Sequence, residues 1–211
     1  MNNRENILEK NTQSEMSPMD VLTDLKDGNK RYMNTSFINQ NISKLRNSSV
    51  SGQNPKAIIL SCIDSRVVVE QVFDQVLGDV FVARVAGNFA NTDIVASMEY
   101  ACKVAGSKLI LVLGHEACGA VKAACDNVEL GNITSLLANI KPVCETTKKA
   151  AAEPHDSSND KYVNEVIDQN VLHTINQIRN MSPILKELED SGQIAFVGGV
   201  YKLASGEVKW L

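Results

Sequence analysis

The sequence predicts an α/β fold: a mostly parallel central β-sheet with an antiparallel edge strand, helices on both faces and an N-terminal helical arm. Three observations predict it. Short apolar runs of strand length alternate with segments of helical periodicity. Runs such as Ala57 to Leu60 and Lys108 to Leu113 are almost continuously apolar, as strands covered on both faces are. A Ser205-Gly206 turn joins the last two runs and gives the sheet one antiparallel edge.

The elements follow in order. Residues 1–17 are polar, carry Glu5, Glu9 and Glu15, and have no apolar block, so they are expected to be a mobile tail, or a weak helix needing a partner surface. They match neither a secretory signal nor a transit peptide, and the expected location is the cytoplasm. Ser17-Pro18 opens a helix with Ser as cap and Pro in the first turn. Gln40 to Asn54 breaks regularity. Strands are expected at Ala57 to Leu60, Asp79 to Arg84, Lys108 to Leu113, Ile194 to Tyr201 and Glu207 to Trp210. Helices are expected at Asp93 to Ala105, Gly119 to Cys125, Asn132 to about Lys149, along Val163 to Ile178, and from Ser182 to near Gly192. Glu153 to Asp160 reads as a loop. Residues 18–211 form one expected domain.

Composition excludes several classes of function. The chain has 211 residues, 44% of them hydrophobic and 22% charged, an ordinary globular mixture rather than a disordered chain or a rod. A net charge of −4 gives no electrostatic footing for nucleic acid. No apolar stretch is long enough for a transmembrane helix, so a soluble protein is expected. Five cysteines are too few, and too odd a number, for a disulfide scaffold.

The chemistry gathers at two strand ends, where open α/β sheets place their sites. The first strand runs into Ser61-Cys62-Ile63-Asp64-Ser65-Arg66, and the third into Gly114-His115-Glu116-Ala117-Cys118-Gly119. Two thiolates and an imidazole suit zinc, and three protein ligands leave a fourth position open, the mark of a catalytic ion. Cys118 stands just before a helix, whose N-terminus favours its thiolate. Asp64 beside Arg66 is expected to stay ionised and to orient a nucleophile. Taken singly, His-x-x-Cys also fits a core histidine with a buried thiol, and Cys-x-Asp-Ser-Arg also fits a solvated turn. Cys102 reads as a small core residue, Cys125 and Cys144 as structural or surface thiols, and His155 and His173 as ordinary surface or helix residues.

Both motifs resemble those of the β-class carbonic anhydrases, and so do Leu25 to Tyr32, Glu70 to Asn88 and Val197 to Val208. The resemblance spans Pro18 to Leu211. It implies a lyase that reversibly hydrates carbon dioxide to bicarbonate and a proton by a metal-bound hydroxide, with one zinc per chain. Cys62, His115 and Cys118 are then the metal ligands, and Asp64 and Arg66 the orienting pair. Gln53, nine residues before Cys62, and Tyr100, fifteen before His115, match the subclass whose site stays open. They join Phe81 and Ala86 as the implied substrate-pocket residues, Ala86 standing where a larger branched residue is usual. In this family the pocket aromatics come from a neighbouring subunit, so a homodimer or homotetramer is implied, without nucleic-acid or membrane partners. Hydrolysis of carbon disulfide or carbonyl sulfide, a catalytically silent zinc module and a redox thiol protein are the competing readings.

Overall fold

The computed structural model describes residues 3–148 and 153–211. Two short strands, β1 (Asn3–Arg4) and β2 (Asn39–Gln40), pair in parallel, and α1 (Lys10–Glu15) and α2 (Pro18–Met33) lie between them in sequence. α2 starts where the sequence predicts. The Ser17 hydroxyl accepts from the Asp20 N–H, the Asp20 carboxylate accepts from the Ser17 N–H, and Pro18 occupies the first turn, where its missing donor is not needed. The next helix, α3 (Ile42–Ser48), falls inside the stretch expected to be irregular. Asn41 caps it by accepting from the Lys44 N–H, a start signal hidden among polar neighbours.

Five strands build the main sheet: β3 (Ala57–Ser61), β4 (Val80–Arg84), β5 (Leu109–His115), β6 (Ala195–Tyr201) and β7 (Val208–Trp210). Their order is β4-β3-β5-β6-β7; the first four are parallel and β7 is antiparallel to β6, as expected. The two-residue period of the strands divides the core. Ile58, Leu60, Ile110 and Val112 face one apolar cluster, whereas Ala57, Ile59, Leu109, Leu111 and Leu113 face another. The second face is covered by α2 and by α4 (Val69–Val72). The first is covered by α5 (Thr92–Glu99), α6 (Gly119–Cys125), α7 (Gly131–Leu137), α8 (Lys141–Lys148), α9 (Asp160–Met181) and α10 (Pro183–Asp190). A π-helical turn, Tyr100–Val104, extends α5.

The single helix expected from Asn132 is two, α7 and α8. Pro142 has no N–H for the carbonyl four residues back, so a continuous helix would lose that bond. The Asn139 side chain closes α7 instead, donating to the carbonyls of Ser135 at 3.2 Å and Leu136 at 3.0 Å. The expected end at Lys149 lies outside the described residues. No helix among the described residues is long and apolar enough to cross a membrane.

Of the two states expected for the N-terminal segment, a mobile tail or a weak helix needing a partner surface, the described residues include a short helix, α1, packed on the chain itself. Met1 and Asn2 lie outside the described residues, but residues 3–17 are docked on the body. Arg4 pairs with buried Asp79 at 2.9 Å. Gln13, fully buried, donates through Nε2 to the carbonyls of Pro55 at 2.8 Å and Ala105 at 3.0 Å. The surface this segment needs is the chain's own, and its anchors are polar, so no apolar pattern announces them. Gln13→Ala should lower the unfolding free energy by about 2 kcal/mol, measured by urea denaturation, because a buried amide that closes two hydrogen bonds is lost.

Candidate metal centre

The sheet order opens the site. From β3 the chain passes to β4 on one side, then returns to β5 on the other, so the connections leave β3 and β5 in opposite directions and a crevice forms at their carboxyl ends. Cys62 follows β3, His115 closes β5 and Cys118 is the N-cap of α6. Ala117, at φ +53°, turns the chain sharply between the last two, a left-handed conformation that costs a non-glycine residue about 1 kcal/mol. The three side chains are 4%, 0% and 1% exposed, and their donor atoms all lie within 4.8 Å of one another. The sequence expectation that these residues share one crevice is met.

The histidine is prepared as a ligand. Its Nδ1 lies 2.8 Å from the Glu116 carbonyl and donates to it, which leaves the Nε2 lone pair free. Glu116 is itself held, its N–H donating to the Tyr201 carbonyl at 3.0 Å and its carboxylate accepting from the Leu203 N–H at 3.1 Å. Nε2 is buried and has no hydrogen-bond partner, a state that a bound cation relieves. The two thiols are shifted in opposite directions. The Cys62 thiol is pulled down by hydrogen bonding to Cys118, then by His115 and by the N–H groups of Gly87 and Asp64. That of Cys118 is pushed up by the same contact and by burial, against the N–H groups of Ala120 and Val121 at the start of α6. The shift favours Cys62 as the thiolate, and a dication bound here would require both sulfurs deprotonated. Two sulfurs and an imidazole in this arrangement fit zinc.

Asp64 and Arg66 stand at the rim. The Arg66 Nε and backbone N–H reach one carboxylate oxygen, both at 2.9 Å, and its Nη2 reaches the other at 2.7 Å. These bonds hold the Asp64 carboxyl well below the usual carboxylate range. The second oxygen lies 3.9 Å from His115 Nδ1, so the carboxylate borders the donor cluster. Two further residues support this loop: Arg84, which sequence reasoning missed, and Gly87, which the sequence offers either as a tight turn bringing backbone to the pocket or as a simple chain reversal. Arg84, at the end of β4, donates to the carbonyls of Cys62 at 2.9 Å and Asp64 at 2.7 Å, and the Gly87 N–H donates to Cys62 Sγ at 3.4 Å. The only sequence signal for Arg84 was its place at the end of an apolar strand.

The four expected pocket residues part company. Ala86 sits beside Cys62, between Val85, which bonds to Ser61, and Gly87. Phe81 lies farther back, opposite Ile58 in the β3–β4 register, with its ring centroid 6.3 Å from that of Tyr100. Both rings line a cavity of about 480 Å³ with Ile58, Ala83 and Ala96, and none of the three metal donors borders it. Gln53 is exposed in the loop before β3, in a hollow with Val50 and Leu77. The five residues of β3 span about 17 Å, so Gln53 and Cys62 lie at opposite ends of one strand. Gln53, Phe81 and Tyr100 are therefore not brought to the cluster within a single chain.

A family model for carbonic anhydrase matches residues 57–208, which include every residue of the cluster. The carbonic anhydrase of Mycolicibacterium smegmatis is 34% identical over 92% of this chain and 93% of its own length. Carbonic anhydrase 2 of Mycobacterium tuberculosis is 33% identical over 90% of this chain and 91% of its own. Among solved structures, the β-carbonic anhydrase CcaA superposes with a TM-score of 0.72 at 22% identity, covering 91% of this chain and 93% of that one. Tetrameric β-carbonic anhydrases of Sordaria macrospora give 0.69 at 23% identity over 90% and 93%. At such identities the superpositions speak for the fold alone. The family match and the mycobacterial relatives carry the assignment: the chain belongs to the β-class carbonic anhydrase family.

Proposed function

We propose that the chain catalyses the reversible hydration of carbon dioxide to bicarbonate and a proton, with one zinc per chain held by Cys62, His115 and Cys118. The observation that carries this reading is the convergence of two buried sulfurs and an unpartnered imidazole nitrogen within 4.8 Å, at the switch point of the sheet. Zinc bound there supplies the Lewis acidity that makes water nucleophilic near neutral pH. The chain's own residues do the rest. Asp64, held ionised by Arg66, accepts the hydrogen of the attacking solvent molecule and turns its lone pair toward the substrate. Arg66 engages both carboxylate oxygens, so with zinc bound it would hold Asp64 as an orienting group rather than a ligand. Ala86 forms an apolar wall beside Cys62 for a gas with no charge to recognise.

Gln53, Phe81 and Tyr100 complete the pocket from a second copy of the chain in a homodimer or homotetramer, since one chain alone does not deliver them to the cluster. Tyr100 is 54% exposed, consistent with a ring that meets its substrate in the assembly. Five reduced cysteines, all buried and free, suit a cytoplasmic protein.

Stopped-flow hydration of carbon dioxide on protein with zinc counted per chain tests the reading. The rate should scale with zinc content and rise toward alkaline pH, because two thiolates donate more charge to the metal than imidazoles do. Chelation should abolish it and added zinc restore it. Undiminished hydration by metal-stripped protein would overturn the reading.

A further inference from the structure

The apolar face of α9 holds one residue out of character. Asn170 lies among Val163, Val166, Ile167, Val171 and Ile175, only 1% exposed. Burying an amide there incurs a desolvation cost that a leucine would not, and its Oδ1 finds no partner to offset it. Asparagine is also a poorer helix former than leucine. Its Nδ2, however, reaches across 83 residues of sequence to donate to the Gly87 carbonyl at 2.9 Å.

Gly87 is the residue whose N–H donates to Cys62 Sγ at 3.4 Å. It sits at φ +78°, a left-handed conformation that disfavours any side chain, and a Cβ there would lie 2.5 Å from Ile140 Cδ1, which would have to shift. Within the loop, the Asn88 N–H closes a turn on the Val85 carbonyl at 3.0 Å, and the Asn170 amide grips the same turn from outside it. We propose that Asn170 is a positioning residue of the metal centre: by gripping the Gly87 carbonyl it aims the Gly87 N–H at the Cys62 sulfur and so sets the direction and donor strength of that thiolate. The proposal rests on Cys62 being a zinc ligand. Outer partners of this kind fix ligand orientation, and their loss commonly costs 10- to 100-fold in metal affinity.

The test replaces Asn170 and reads the metal rather than turnover. In Asn170→Leu, zinc should pass to a competing chelator about tenfold faster or more. In the cobalt(II)-substituted protein the thiolate-to-metal charge-transfer band should move to longer wavelength, because a sulfur that has lost its N–H···S bond gives up an electron more easily. Thr174→Val is the control. Thr174 lies one turn further along α9, is fully buried and also has an unpaired Oγ1, but it makes no bond to Gly87. Its zinc release and cobalt spectrum should match the parent protein.

Asn170→Ser is too short to reach Gly87 and gives the same two readings if the leucine variant does not fold. Full zinc in a folded Cys62→Ser protein would overturn the ligand assignment beneath the proposal. Zinc loss in Cys62→Ser, together with parental release and an unshifted band in the Asn170 variants, overturns the positioning role alone. Equal acceleration in Thr174→Val overturns it too, by reducing the effect to a general loosening of α9.

Discussion

Cys62→Ser should leave a folded protein that carries far less than one zinc per chain and hydrates carbon dioxide at least a hundredfold more slowly. The exchange removes one atom's worth of chemistry and almost no volume. A serine hydroxyl stays protonated where the Cys62 thiol is pulled down by its neighbours, so the site loses a negative donor. The cost should exceed the 10- to 100-fold associated with disturbing a group one shell further out. The fold should hold, because the core around the site is built from Leu60, Ile110, Val112 and Val121, none of which depends on the sulfur. Far-UV circular dichroism should therefore be unchanged while metal analysis and stopped-flow rates collapse together. Full zinc and full rate in the folded variant would remove Cys62 from the centre.

What the sequence made readable, and what it did not, follows from the kind of interaction involved. β3 and β5 are fully buried, so they appear as unbroken apolar runs, and the residues following such runs mark the crevice without any three-dimensional information. Cys62, His115 and Cys118 were legible for that reason. Gln53 was not placed, because a spacing of nine residues says nothing about direction. It counts back through the whole of β3 to the other end of the sheet. Arg84 acts through contacts with the Cys62 and Asp64 carbonyls, which depend on the β3–β4 register rather than on any local pattern. Gln13 is a buried polar anchor in a polar segment, so composition hides it. Asn170 was read past, because the helix face was traced from its apolar residues alone and a partner 83 residues away leaves no local pattern.

Asp64→Asn should keep the zinc and lower the rate of hydration by about 100-fold. The substitution preserves shape and keeps one oxygen for Arg66. It also sets an amide NH2 against the other Arg66 donor, so the fork of bonds at 2.9 and 2.7 Å cannot survive intact. The pH dependence of the deficit separates two roles for the carboxylate. Asp64 is ionised far below neutrality, so it contributes no titration of its own to the parental profile in the working range. If it serves as the acceptor that orients the attacking molecule, the deficit should be constant from about pH 6 to about pH 9, because asparagine is equally unsuited throughout. If it acts only through its charge, the expectation reverses. Removing an anion beside the site makes the attacking water more acidic, shifts the rise in rate to lower pH and speeds the variant in acid. A variant that outpaces the parent at low pH would show that Asp64 tunes the acidity of the site without orienting the nucleophile.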